Sequence, residues 1–153
     1  MKIFASLVFA VASVAAAGAA QAAIPVYGFF VKNTYPHDPQ AFTQGLFFRD
    51  GQLYETTGRK GRSSLRKVDL KSGKVLQKKD LADDYFGEGS TAVGDTIVNL
   101  TWQSNVGFLF DAKTFTLKSR FNYKGEGWGL ASDAKNVYMS QAPAIQVTPP
   151  AAL

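Results

Sequence analysis

The chain has 153 residues, 46% hydrophobic and 19% charged, with a formal charge of +5, which is the composition of one ordinary globular domain. Its 12 Phe, 6 Tyr and 2 Trp argue against disorder. With no cysteine and one histidine, His37, disulfides, thiolate metal sites, cysteine nucleophiles and two-histidine metal sites are excluded. A zinc held by one histidine and two carboxylates survives the count, but nothing supports it.

Residues 1–22 read as a secretory signal peptide. Lys2 is a short positive start, Ile3 to Ala17 is an uncharged apolar run, and Ala20-Gln21-Ala22 is a small-x-small cleavage site. Cleavage after Ala22 implies an exported protein, periplasmic or secreted. The run is short and lacks a flanking charge cluster, so it is not read as a stable membrane anchor. Further on, His37 in Tyr35-Pro36-His37-Asp38-Pro39 reads as a loop residue rather than a ligand.

Short runs punctuated by Gly, Asp and Ser dominate the rest, and helical periodicity is nearly absent, so the fold class is all-β. Leu46 to Phe48, then Arg49-Asp50-Gly51-Gln52, then Leu53 to Thr56 is a hairpin, with Asp-Gly in the turn. Basic residues cluster at Arg59, Lys60, Arg62, Arg66 and Lys67, and again at Lys71, Lys74, Lys78 and Lys79. These read as solvated turns and strand edges; no nucleic-acid partner is expected for an exported protein.

The hairpin recurs. Ser90 to Val93 and Thr96 to Trp102 flank Gly94-Asp95; Leu130 to Ser132 and Asn136 to Ser140 flank Asp133-Ala134-Lys135. Val68 to Leu76 matches Phe110 to Leu117 as third and fourth strands. Gly45, Gly89 and Gly129 recur at about 40–45 residues, the period of a β-propeller blade of four strands. The segments before these glycines read Phe42-Thr43-Gln44-Gly45, Phe86-Gly87-Glu88-Gly89 and Glu126-Gly127-Trp128-Gly129. Each leads into the strand that lines a propeller's central channel, so Gln44, Glu88 and Trp128 are predicted to share one cavity. Taken singly, Glu88 could be a solvated turn carboxylate, Trp102 or Phe42 or Phe86 core, and Trp128 a packing residue between blades. Convergence on one repeat position, with different chemistry in each repeat, favours a site.

Tyr35-Pro36-His37-Asp38-Pro39-Gln40-Ala41-Phe42-Thr43-Gln44-Gly45-Leu46, Gly61-Arg62-Ser63-Ser64-Leu65-Arg66, Tyr85-Phe86-Gly87-Glu88-Gly89, Leu100-Thr101-Trp102-Gln103 and Gly125-Glu126-Gly127-Trp128-Gly129-Leu130 resemble the plant and bacterial glutaminyl cyclases. These glutaminyl-peptide cyclotransferases are five-bladed propellers, and the resemblance runs from Tyr35 to Ser140. It implies conversion of a peptide's N-terminal glutamine to pyroglutamate with release of ammonia, with no cofactor or metal. It also implies Glu88 as the catalytic acid and Phe42, Gln44, Phe86, Trp102 and Trp128 as the substrate cleft. The chemistry suits these residue types. The α-amine and the amide carbon share one molecule, so folding back supplies proximity, one carboxyl can shuttle the proton, and aromatic walls raise its pKa.

Two features depart from that family. Five blades need roughly 200–225 residues, more than this chain has, and the pattern ends at Ser140. Residues 141–153 hold three prolines, four alanines and no charge. The expected organisation is a signal peptide at 1–22, a partial propeller of about two and a half blades at 23–140, and a divergent tail at 141–153. Val26 to Val31 is expected to pair with the last blade of a complete ring. Faces carrying Phe47, Leu53, Val98, Phe108 and Phe110 are expected to lie uncovered, leaving the chain as it stands poorly stable and essentially inactive. The alternatives are a non-catalytic exported propeller fragment and a peptide- or sugar-binding module.

Overall fold

The computed structural model describes residues 24–133, 135–141 and 144–149; the expected signal peptide lies outside them. Met1–Lys32 and Asn33–Leu153 are separate units. In the first, residues 24–32 carry no strand; the last blade with which Val26 to Val31 is expected to pair is not among the described residues.

The second unit is built of antiparallel meanders. The first sheet runs β1 (Thr43–Arg49), β2 (Gln52–Thr57), β3 (Ser64–Val68) and β4 (Val75–Asp80), in that order. The second repeats it with β5 (Gly87–Val93), β6 (Thr96–Thr101), β7 (Val106–Asp111) and β8 (Leu117–Asn122). The third holds β9 (Leu130–Ser132), β10 (Val137–Gln141) and β11 (Ala144–Thr148). The first strands of the sheets are neighbours, β5 lying between β1 and β9. This is the blade arrangement predicted from the repeat.

The turns follow from residue chemistry. Asp50 and Gly51 both take positive φ, 51° and 77°, as a tight two-residue hairpin requires. Between β3 and β4, Asp69 accepts hydrogen bonds from the N–H and hydroxyl of Ser72. Between β7 and β8, Asp111 does the same for Thr114. Phe115, at the left-handed position of this second turn (φ 59°), is held there by burial of its ring against Tyr54.

The core joins the first two sheets: Tyr54, Leu65, Ile97, Phe108, Phe110, Ala112 and Phe115. Phe47 stacks on Tyr54 with ring centroids 4.9 Å apart. Each large apolar side chain buried here contributes about 1.5–3 kcal/mol. The face expected to be open is therefore misassigned. Val98, Phe108 and Phe110 are buried, and Phe47 and Leu53 half-buried. Leu46 and Phe48 are exposed instead, because strand residues alternate faces and these two point away from the side that Phe47 packs.

The expected divergent tail carries a strand: β11 pairs with β10 from Val137↔Thr148 to Gln141↔Ala144. Ile145-Gln146-Val147-Thr148 alternates apolar and polar with β-branched residues, which suits a strand. The first basic cluster is not simply solvated. Arg66 is 11% exposed at its side chain, pairs with Asp38 at 2.8 Å and lies 3.8 Å from the buried Glu55 carboxylate. Lys67 covers the rings of Tyr54 and Phe115. Lys71, Lys74, Lys78 and Lys79 are exposed, as expected. His37 is a loop residue whose Nε2 lies 2.8 Å from Glu55. Among the described residues no cluster of His, Cys, Asp or Glu could hold a metal ion.

Candidate active site

The site rests on a defect repeated in each inner hairpin. In the first blade Thr43 faces Thr57 and Gly45 faces Thr56, so Gln44 is an extra residue. In the second, Gly87 faces Thr101 and Ser90 faces Asn99, so Glu88 and Gly89 together oppose Leu100. In the third, Trp128 N–H donates to the Ser140 carbonyl at 3.1 Å and Ser140 N–H donates to the Gly129 carbonyl at 2.9 Å, again two residues against one. A bulge breaks the period-two alternation and re-aims the side chain it carries. Gln44, Glu88 and Trp128 are thus structurally equivalent, as the repeat predicted.

The constant glycine has a packing cause. A Cβ on Gly45 would lie 2.6 Å from the Ser90 backbone nitrogen, and one on Gly89 would lie 2.3 Å from the Trp128 carbonyl oxygen. Each glycine lets its strand touch the next blade's first strand. Gly89 N–H donates to that Trp128 carbonyl at 2.7 Å.

Glu88 is 9% exposed. Its backbone is fixed because its carbonyl accepts hydrogen bonds from Thr56 Oγ1 at 2.8 Å and Asn99 Nδ2 at 3.0 Å. Burial pushes its carboxyl pKa above the usual range; the Gln44 amide beside it pulls the other way, and the charge of Glu126 adds to the rise.

Aromatic rings stand in a row at the start of the same blade, where Phe86 precedes Glu88 by two residues. Phe86 meets Phe42 edge-on at 6.1 Å and Trp102 at 5.6 Å. Trp102 N–H donates to the Phe86 carbonyl at 2.9 Å, tying the end of β6 to the start of β5. Phe42, Trp102 and Trp128 are exposed by 42%, 38% and 45%, so none of the three is core.

Trp128 is joined to this row by a residue that sequence reasoning did not single out. Glu126 accepts hydrogen bonds from Gln103 Nε2 at 3.0 Å and Trp128 Nε1 at 3.2 Å. The Gln103 bond, then the Trp102 indole, then Trp128 hold the Glu126 carboxyl below the usual range. One carboxylate therefore ties the Trp128 indole to Gln103, the neighbour of Trp102. The signal was in the repeat: Glu126 occupies the position of Phe42 and Phe86. Where blade two has aromatic then acid, blade three has acid then aromatic. Tyr123 was also missed; its hydroxyl bonds the Thr101 carbonyl beneath Gly127, and burial raises its pKa.

The glutamine cyclotransferase family model matches residues 4–151. The chain belongs to that family. It is 43% identical over 108 residues to the glutaminyl-peptide cyclotransferase of Arabidopsis thaliana, covering 69% of this chain and 34% of the relative. The crystal structure of Myxococcus xanthus glutaminyl cyclase superposes with a TM-score of 0.70 at 30% identity, over 78% of this chain and 50% of that one. The β-propeller domain of Cps50 (Swd1) from Myceliophteria thermophila, at 10% identity, TM-score 0.53, 78% of this chain and 41% of that one, shares the fold alone. The chain thus spans about a third of the curated family relative and half of the solved family enzyme. Glu88, Phe42, Gln44, Phe86, Trp102 and Trp128 fall inside the family match.

Proposed function

We propose that this site, in a ring completed by further blades, converts the N-terminal glutamine of peptides to pyroglutamate and ammonia. The observation that carries the reading is Glu88: a buried carboxyl with raised proton affinity, on a bulge beside an aromatic row, in a chain of this family. A peptide- or sugar-binding module would have no use for a desolvated acid there.

The chemistry needs one proton shuttle. A substrate α-ammonium has a pKa of about 7.7–8. Glu88 takes one of its protons, and burial makes that transfer easier by favouring the neutral carboxyl. The freed amine attacks the side-chain amide carbon, forming the ring C–N bond. Glu88 returns its proton to the leaving nitrogen as the old C–N bond breaks, then takes the surplus proton from the ring nitrogen. Holding amine and amide carbon in one folded side chain supplies the proximity. Phe42, Phe86, Trp102 and Trp128 enclose that side chain and keep water from competing. Gln44 orients the Glu88 carboxyl.

The test is a fusion of this chain ahead of the Myxococcus blades it does not match, incubated with a Gln-Ala-Ala peptide. Cyclisation by the fusion supports the reading; a folded fusion without turnover contradicts it.

Glu126→Gln checks the electrostatics. Removing the negative charge lowers the Glu88 pKa, since that charge raises it. The ionised form of Glu88 then persists to lower pH. The acid limb of kcat/KM for the fusion is expected to move to lower pH, and an unmoved limb would remove Glu126 from the account.

Export is the second part of the proposal, resting on Lys2, the Ile3 to Ala17 run and Ala20-Gln21-Ala22. Mass spectrometry of the secreted or periplasmic protein is expected to find a mature N-terminus at Ala23. Intact Met1 in an integral membrane fraction would contradict it.

A further inference from the structure

Beyond the aromatic row stands a cation. Arg59 lies in the β2–β3 turn with its guanidinium 4.5 Å from the Phe42 ring centroid. Its φ is 83°, a left-handed conformation that costs a non-glycine residue energy. The turn holds it there: the Arg59 carbonyl accepts hydrogen bonds from Arg62 N–H at 3.0 Å and Ser63 Oγ at 2.9 Å. Ser63 is itself buried and also bonds the Tyr85 carbonyl and the Gly87 N–H, next to Phe86 and Glu88. The strained residue is therefore built into the same framework that fixes the acid.

Arg59 is exposed, and among the described residues it forms no ion pair with a carboxylate. Lys60 and Arg62 beside it are exposed too. The row thus runs from Trp102 through Phe86 and Phe42 to an available guanidinium. From Phe86 to Arg59 is at most on the order of 10 Å, the span of two to three extended residues. A peptide whose first side chain sits beside Glu88 reaches Arg59 with the carboxylate of its second or third residue.

We propose that Arg59 is a specificity-determining residue that selects N-terminal-glutamine peptides with an acidic second or third residue. The proposal rests on the cyclotransferase reading of the site. Stacking on Phe42 pre-orders the guanidinium, so less side-chain entropy is lost when it meets a carboxylate. An exposed pair of this kind gives a preference of about 1.5- to fivefold.

The test separates this proposal from the reaction by using product peptides, which need no turnover. Pyroglutamyl-Glu-Glu, pyroglutamyl-Ala-Ala and pyroglutamyl-Lys-Lys are titrated into the chain, following the fluorescence of Trp102 and Trp128. The acidic peptide is expected to bind about 1.5- to fivefold tighter than the neutral one, and the basic peptide more weakly than either. The preference should vanish in Arg59→Asn, since asparagine tolerates the left-handed turn. It should also fade in the unaltered chain at about 1 M salt, where charges are screened within roughly 3 Å; this arm does not depend on the variant folding. Equal binding of the three peptides, binding of none, or a preference that survives in Arg59→Asn overturns the proposal. Turnover of Gln-Ala-Ala by the fusion without acidic preference removes this inference alone, whereas acidic preference without turnover keeps it and removes the reaction.

Discussion

Glu88→Gln is expected to lower kcat for cyclisation by about 10²–10⁴-fold, the usual share of a positioned proton-transfer group. Glutamine keeps the shape of the side chain and the Gly87/Ser90 bulge, but it can neither take the ammonium proton nor deliver one to the departing nitrogen. The variant should fold at least as well as its parent at neutral pH. Burial raises the folded-state pKa of Glu88 above its unfolded value, so the stability it contributes is full below the unfolded pKa. That stability is lost as pH rises through the folded one. Glutamine does not titrate and so escapes that loss. Measuring kcat and the urea midpoint of the same preparations separates the two effects. Near-parental turnover would make Glu88 a turn residue and nothing more.

The second large effect is structural. Gly89→Ala should destabilise the chain by about 2–4 kcal/mol, combining overpacking of about 1–3 kcal/mol with a buried hydrogen bond worth about 0.5–1.5 kcal/mol. The new methyl would meet the Trp128 carbonyl oxygen at 2.3 Å, and backbone on that side cannot step back without losing the Gly89 N–H bond. Gly129→Ala is the control at the same repeat position. Among the described residues its methyl meets only Ser140 Oγ, at 3.0 Å, and that hydroxyl can rotate away at the cost of one exposed hydrogen bond, the one it accepts from Gly129 N–H. Urea midpoints should fall far more for Gly89→Ala than for Gly129→Ala. Equal small losses would mean that the inner strands are not in the contact described.

These expectations trace to different depths of the sequence. The Asp50-Gly51 turn, the four-strand period and the equivalence of Gln44, Glu88 and Trp128 are local or repeated signals, and all appear in the structure. The repeat works because each blade solves the same problem, a first strand that must pass close to its neighbour, and only glycine permits it. What failed was set by partners distant in the chain. Arg66 reads as a surface cation until the loop carrying Asp38 folds over it beside Glu55. The exposed pair Leu46 and Phe48 differs from half-buried Phe47 only by strand parity, which hydrophobicity alone does not reveal. Ile145 to Thr148 was hidden by its prolines and absent charges, although its alternation suits a strand. Glu126 was visible as the odd member of its repeat position; its grip on the Gln103 amide and the Trp128 indole required those two side chains to be brought together across blades. Arg59 sat inside a charge cluster that composition assigns to solvent, whereas its guanidinium leans on Phe42.

The central claim is that Glu88, re-aimed by the bulge and desolvated by its surroundings, moves the proton in glutamine cyclisation. The most direct measurement is ammonia release and the matching mass loss of a Gln-Ala-Ala peptide, followed across pH for the blade-completed fusion and its Glu88→Gln variant. The account predicts cyclisation with an acid limb set by Glu88, and loss of both the turnover and that limb in the variant. A variant that retains the turnover and the same acid limb would contradict it.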